Sequence, residues 1–145
     1  MTTAEHLDTI DRLRGQNFPT EPVRFDRHGS GPGRHQVQLV ETRDFWEDDG
    51  SARIEAADQI GAEYVALVQA LTGRWGTPQV FALDRMMERG LDGEAIPEPW
   101  DSLANDADHV HLWRAGDRWL VVYAARRATG DPFRLMAAVT VVDPP

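Results

Sequence analysis

The stretch from His109 to Arg127 reads HVHLWRAGDRWLVVYAARR, two apolar runs centred on Gly116-Asp117. Glycine placed first in a two-residue connection is the signature of a type II′ hairpin turn, whose backbone twist matches that of the flanking strands. With those residues as the loop, Ala115 is expected to face Arg118, Trp113 to face Leu120, His111 to face Val122 and Val110 to face Tyr123. The two-residue side-chain period then fixes the faces. Val110, Leu112, Trp119, Val121 and Tyr123 share one; His109, His111, Trp113, Leu120, Val122 and Ala124 share the other. The second strand is apolar on both faces, which places it inside a sheet with a neighbour on each side. A further apolar run, Phe133 to Val142, follows the turn signal Thr129-Gly130-Asp131-Pro132 and supplies the second neighbour.

Upstream, Ile54, Ala57, Gly61, Tyr64, Leu67, Val68, Leu71 and Trp75 recur at spacings of three and four, predicting a long helix over about 51–73 that stops at Gly73. Asp48, Asp49, Gly50 and Ser51 supply turn and capping chemistry before it. Thr2 and Glu5 stand at capping-box spacing ahead of Leu7, Ile10 and Leu13, so a short first helix is expected, with Gly15 just past its end. Residues 15–34 are rich in Gly and Pro and read as irregular, with at most an extended piece at Val23 to Phe25. From His35 the alternation of Val37 and Leu39 with Gln36 and Gln38 predicts a strand. Residues 79–89 fit either strand or helix, and 90–100 read as a loop. The expected fold class is α+β. An antiparallel β meander, its three C-terminal strands joined by one or two earlier ones, packs against one long helix, with a short N-terminal helix. One domain over 1–145 is expected, with 1–34 a short helix plus irregular segment and 35–145 the α+β core.

All 15 basic residues are Arg, and Cys is absent. That removes lysine phosphate clamps, Schiff-base chemistry, thiolate nucleophiles, disulfides and cysteine-bound zinc. Wholesale Arg for Lys with abundant Ala, Gly and Asp suggests a GC-rich, actinobacterium-like source. The net charge of −9 disfavours nucleic acid and anionic membranes, because affinity for both rests on cationic side chains. The same charge would steer another protein with a basic surface toward it, the competing reading being acidity that serves solubility alone, and oligomeric state stays open. The start, MTTAEHLDTID, lacks the basic and apolar regions of a signal peptide, and no apolar run approaches the ~18 residues of a membrane span, so a cytoplasmic location is expected.

His109 and His111 lie two apart on a predicted strand, so both imidazoles point one way, and with Asp108 they form a candidate metal site. Asp106 lies close upstream. The competing reading is the solvent-facing side of an edge strand. Arg27, His28 and Arg34 sit in RHGSGPGRH, a Gly-rich segment whose backbone amides and arginines form a candidate anion site, or else a connector. Asp44, Glu47, Asp48 and Asp49 cluster ahead of the long helix, where carboxylates suit its positive end. Five tryptophans are many for this length; Trp100 and Trp113 are the candidates for contact with a partner, the others for core packing.

Arg27-His28-Gly29, directly after an extended piece, resembles the signature of the histidine phosphatase superfamily. The resemblance implies His28 as nucleophile and Arg27 as phosphate clamp, completed by a second Arg and His such as Arg53 and His109 or His111. Ser30-Gly31 depart from the residues that usually follow, and a meander departs from that family's topology. The segments LTGRWGTP and WRAGDRW resemble small actinobacterial, Streptomyces-like proteins of no assigned activity, which implies a domain-sized bacterial protein. Without a convergent catalytic set, the leading expectation is a non-enzymatic binding module, immunity-like or chaperone-like, with no cofactor. The alternatives are a small metal-dependent hydrolase or phosphatase-like enzyme using His109/His111 or His28, and a small-molecule binding domain.

Overall fold

The computed structural model describes residues 2–25, 28–42, 50–125 and 131–145. Its centre is a seven-stranded sheet, antiparallel throughout, in the order β1-β2-β3-β7-β6-β5-β4. The strands are β1 (Val23–Phe25), β2 (His28–Gly31), β3 (Arg34–Glu41), β4 (Gln79–Ala82), β5 (His109–Ala115), β6 (Arg118–Ala125) and β7 (Arg134–Thr140). Two meanders, β1-β2-β3 and β4-β5-β6-β7, meet along the β3/β7 seam. The α+β expectation holds, although four strands precede β5 rather than one or two.

The C-terminal hairpin has the expected register: Ala115 pairs with Arg118, Trp113 with Leu120 and His111 with Val122. Gly116 takes a φ of 68° while Asp117 stays at negative φ, as a II′ turn demands. We expect Gly116→Ala to cost about 1–2 kcal/mol in a urea titration, because a side chain is strained at that φ. Strand β6 lies between β5 and β7, with Leu120, Val121, Val122 and Tyr123 buried on alternating faces.

Helices cover both faces, which accounts for the doubly apolar β6. On one side α1 (Thr3–Gly15) and α2 (Ser51–Trp75) bring Ile10, Leu13, Ile60, Leu67 and Leu71 onto Trp113, Leu120, Val122, Leu135 and Val139. On the other, α3 (Asp84–Leu91) and α4 (Trp100–Asp106) bring Leu83, Met86, Trp100 and Leu103 onto Val110, Leu112, Val121 and Tyr123. Each fully buried large side chain contributes about 1.5–3 kcal/mol. This second layer departs from the expectation of a single helix on one face. Helix α3 has eight residues and α4 seven, too few turns for a period to stand out between the Gly and Pro residues around them. Residues 79–89 are both things the sequence allowed, β4 followed by α3.

Helix α1 carries the expected capping box, Thr2 bonding to the Glu5 amide and the Glu5 carboxylate to the Thr2 amide. Gly15 is its last residue rather than the one beyond, and Gln16 caps it with extended backbone. Helix α2 runs through Gly73 to Trp75 and is capped by Gly76, whose positive φ of 88° suits glycine; the sequence reading placed the glycine stop three residues early. Residues 15–34 contain both β1 and β2; the latter, HGSG, carries no apolar alternation by which to find it. Between Gln38 and Val40 the β3/β7 register shifts, so that Leu39 and Val40 both pack toward the α1/α2 core.

Candidate functional site

On β5, His109 and His111 share the face that meets α2, as expected, with ring centroids 5.7 Å apart. Tyr64 rises from α2, its hydroxyl 2.9 Å from the Val122 carbonyl and 2.8 Å from His111 Nδ1. A carbonyl can only accept, so the hydroxyl donates to Val122 and accepts from His111 Nδ1–H. This fixes the His111 tautomer and leaves Nε2 as its free acceptor. Burial, with the neighbouring His109 adding to it, holds His111 below the ordinary imidazole value, and burial raises the Tyr64 phenol. Asp108 is exposed and its carbonyl accepts the Leu83 amide at 2.8 Å. Among the described residues no three His, Asp or Glu side chains gather closely enough to hold a metal, so the His109, His111, Asp108 centre is not assembled. Tyr64 and His111 instead clasp α2 to the sheet, with His109 exposed beside them. We expect Tyr64→Phe to cost about 1–3 kcal/mol by chemical unfolding, since it removes the bond to the Val122 carbonyl and leaves the half-buried His111 Nδ1–H without its acceptor.

A second polar chain crosses β2 and β3. His28 Nε2 lies 2.8 Å from Ser30 Oγ, which lies 2.6 Å from His35 Nδ1, and His35 Nε2 lies 3.3 Å from the Gln16 carbonyl. The carbonyl requires a proton on His35 Nε2, so Ser30 donates to His35 Nδ1 and accepts from His28. Burial is the main cause that depresses the pKa of His35, which favours this neutral form. The chain ties the N-terminal meander to the end of α1.

That arrangement corrects the candidate anion set. His28 points with Ser30 and His35 toward the α1 side, whereas Arg34, the residue before His35, points to the other face. Arg27 lies outside the described residues, as do Trp46 and the acidic cluster of Asp44, Glu47, Asp48 and Asp49. Nor does His28 meet His109 or His111, which sit four strands away, about 19 Å at ~4.8 Å per strand.

The tryptophans also depart from expectation. Trp100 is 0% exposed, its Nε1 donating to the Val142 carbonyl at 3.0 Å, and Trp113 is 2% exposed, donating to the Gly76 carbonyl at 2.9 Å. Neither can anchor a partner in this state. Trp113 and Trp119 do take opposite faces, as the register required. Trp100 opens α4, which packs its indole under the sheet.

Two features the sequence reading missed remain open to solvent. Arg34 lines a cleft of about 340 Å³ with Arg24, Gly29, Gln36, Glu98 and Ser102. At the opposite sheet margin, β4 presents an uncharged edge, Gln-Val-Phe-Ala, with Val80 62% exposed and, among the described residues, no strand on its outer side. Met87 and Leu91 of the adjoining α3 are exposed as well. Both features emerge from pairing register, which a single strand's sequence does not carry. No protein-family description, characterised protein or solved structure matches this chain. Among the described residues no helix is long and apolar enough to cross a membrane.

Proposed function

We propose that this chain is a non-enzymatic, cytoplasmic protein-binding module, immunity-like or chaperone-like, whose β4 edge takes up an extended segment of a basic partner. The observation that carries the reading is the β4 margin. Natural sheets guard such edges with charge, proline or a covering element, because unpaired backbone groups template further pairing. Strand β4 has no charged residue along its four positions, and Val80 projects into solvent. Addition of a strand gives main-chain hydrogen bonds for affinity, and Val80, Met87 and Leu91 offer apolar contacts for specificity. The charge of −9 supplies long-range attraction for a basic segment. The inward nitrogens of the histidine clusters are engaged by Tyr64, Ser30 and Gln16, which supports a structural role for them over a catalytic one.

The test is capture from the native lysate at low salt, where charge attraction is strongest. The wild-type chain is expected to retain a basic protein, Val80→Lys to weaken that retention about tenfold or more, and Ile54→Lys, an equally exposed apolar position on α2, to leave it unchanged. Retention that ignores Val80→Lys overturns the reading, and so does a capture that returns no basic protein.

A further inference from the structure

We propose that the cleft between the β1-β2-β3 meander and α4 is a binding site for a small organic phosphate, held by Arg24 and Arg34. The register builds it. Arg24 pairs with Gly29 and Gly29 with Gln36, so these three form one row across the strands, with the middle position bare of a side chain. A Cβ added at Gly29 would meet nothing within 4 Å, which shows that the floor of the cleft is open space. One step along, Gly31 pairs with Arg34, and the guanidinium lies directly over it, 2.7 Å from where a Cβ would stand. Two glycines on one short strand therefore do separate jobs: Gly29 makes the room and Gly31 lets Arg34 lie flat beside it.

The chemistry of the lining points to the ligand. In a chain with a net charge of −9, neither Arg24 nor Arg34 takes part in the ion pairs that link described residues to one another. Two guanidiniums without a carboxylate partner beside an open cleft present the planar forks that grip phosphate oxygens. The Gln36 amide reaches the Tyr123 hydroxyl at 3.1 Å, which fixes its side chain at the floor of the site. Across the cleft one Glu98 oxygen accepts the Ser102 hydroxyl at 2.7 Å. The other is available to accept a hydroxyl from the ligand, so the site favours a phosphate ester that carries hydroxyl groups over a bare anion. A volume of about 340 Å³ is at the small end of metabolite sites. The site stands at the opposite end of the sheet from β4 and does not depend on the partner reading.

Amide-resolved NMR titration of the whole chain tests it, with glucose 6-phosphate, inorganic phosphate, glucose and succinate as probes. Glucose 6-phosphate is expected to shift Gly29, Gln36 and Ser102 at low millimolar concentration, inorganic phosphate to bind more weakly, and glucose and succinate to leave those signals in place. Arg24→Gln and Arg34→Gln are each expected to weaken binding about tenfold or more. Gly29→Val, which fills the floor without touching charge, is expected to abolish it, and Gly31→Ala to weaken it by displacing the Arg34 fork. Melting curves confirm that each variant is folded, and Arg12→Gln on α1 controls for net charge. Absence of shifts at these residues, equal binding of succinate, or binding that survives Gly29→Val overturns the proposal.

Discussion

Trp100→Ala is expected to remove about 3–5 kcal/mol of folding free energy, the range for deleting a large aromatic side chain from a core. The indole is wholly buried among Leu83, Met86, Leu103 and Tyr123, and its N–H holds the Val142 carbonyl at 3.0 Å. Domains of this size have about 5–15 kcal/mol in total, so the loss would take a large share of the stability. The α3/α4 layer depends on it most, since its helices are only about two turns long and have little intrinsic stability. Trp100→Phe, which keeps a ring but loses the hydrogen bond, should cost less. Guanidinium unfolding followed by far-UV circular dichroism measures both. A cost for Trp100→Ala under about 1 kcal/mol, the range of surface changes, would show that the indole is not packed as described.

Stability is expected to fall as pH drops below about 6.5, the ordinary imidazole value. His6, His35 and His111 are each held below it, in every case mainly by burial. Glu63 opposes the effect at His6, the Gln16 carbonyl opposes it at His35, and His109 reinforces it at His111. In the unfolded chain these rings take up protons near 6.5 while the folded ones remain neutral. The unfolded state therefore binds more protons between that pH and the depressed folded values, and protonation favours unfolding there. Each ring adds a slope of at most about 1.4 kcal/mol per pH unit. His6 contributes most distinctively: it is 1% exposed, and among the described residues neither ring nitrogen has a hydrogen-bond partner. Urea midpoints between pH 7.5 and 5 should decline for the wild type. His6→Leu should shallow that decline without loss at pH 7.5, because it removes a buried polar group that makes no bond. A flat wild-type profile through this window would contradict the neutral buried rings.

Much of this architecture can be read directly from the chain, and the reasons are local. Gly116-Asp117 set a hairpin whose register follows by counting, and β6 is apolar on both faces because both are covered. Thr2 and Glu5 announce α1, and the three-four spacing of Tyr64, Leu67, Val68 and Leu71 announces α2, although its buried face takes Ile60 and leaves Ile54 and Gly61 exposed. The misses share another cause. Strand β2 is His-Gly-Ser-Gly, held by pairing with both neighbours and by the Ser30–His35 bond rather than by its own preference. Helices α3 and α4 are stabilised by what they cover. The same holds for function. Arg34 stood out beside Arg27 and His28 because they are near in sequence, yet strand alternation sends Arg34 and His28 to opposite faces and brings Arg24 and Ser102 to the cleft in their place. Trp100 and Trp113 stood out as large rings, and their indole N–H groups found backbone carbonyls inside.

The seam between β3 and β7 joins residues from opposite ends of the chain, Gln36 against Ala138 and Val37 against Ala137. The C-terminal meander closes from shorter-range pairings, but β3 has no strand on its second side until β7 is in place, although α1 and α2 already cover one of its faces. Non-local closure of this kind slows folding, because the entropy of a long loop is lost before any contact compensates for it. During synthesis the β1-β2-β3 hairpins must wait until residues 134–140 have emerged, and in that interval the open edge of β3 is exposed to whatever else is nearby.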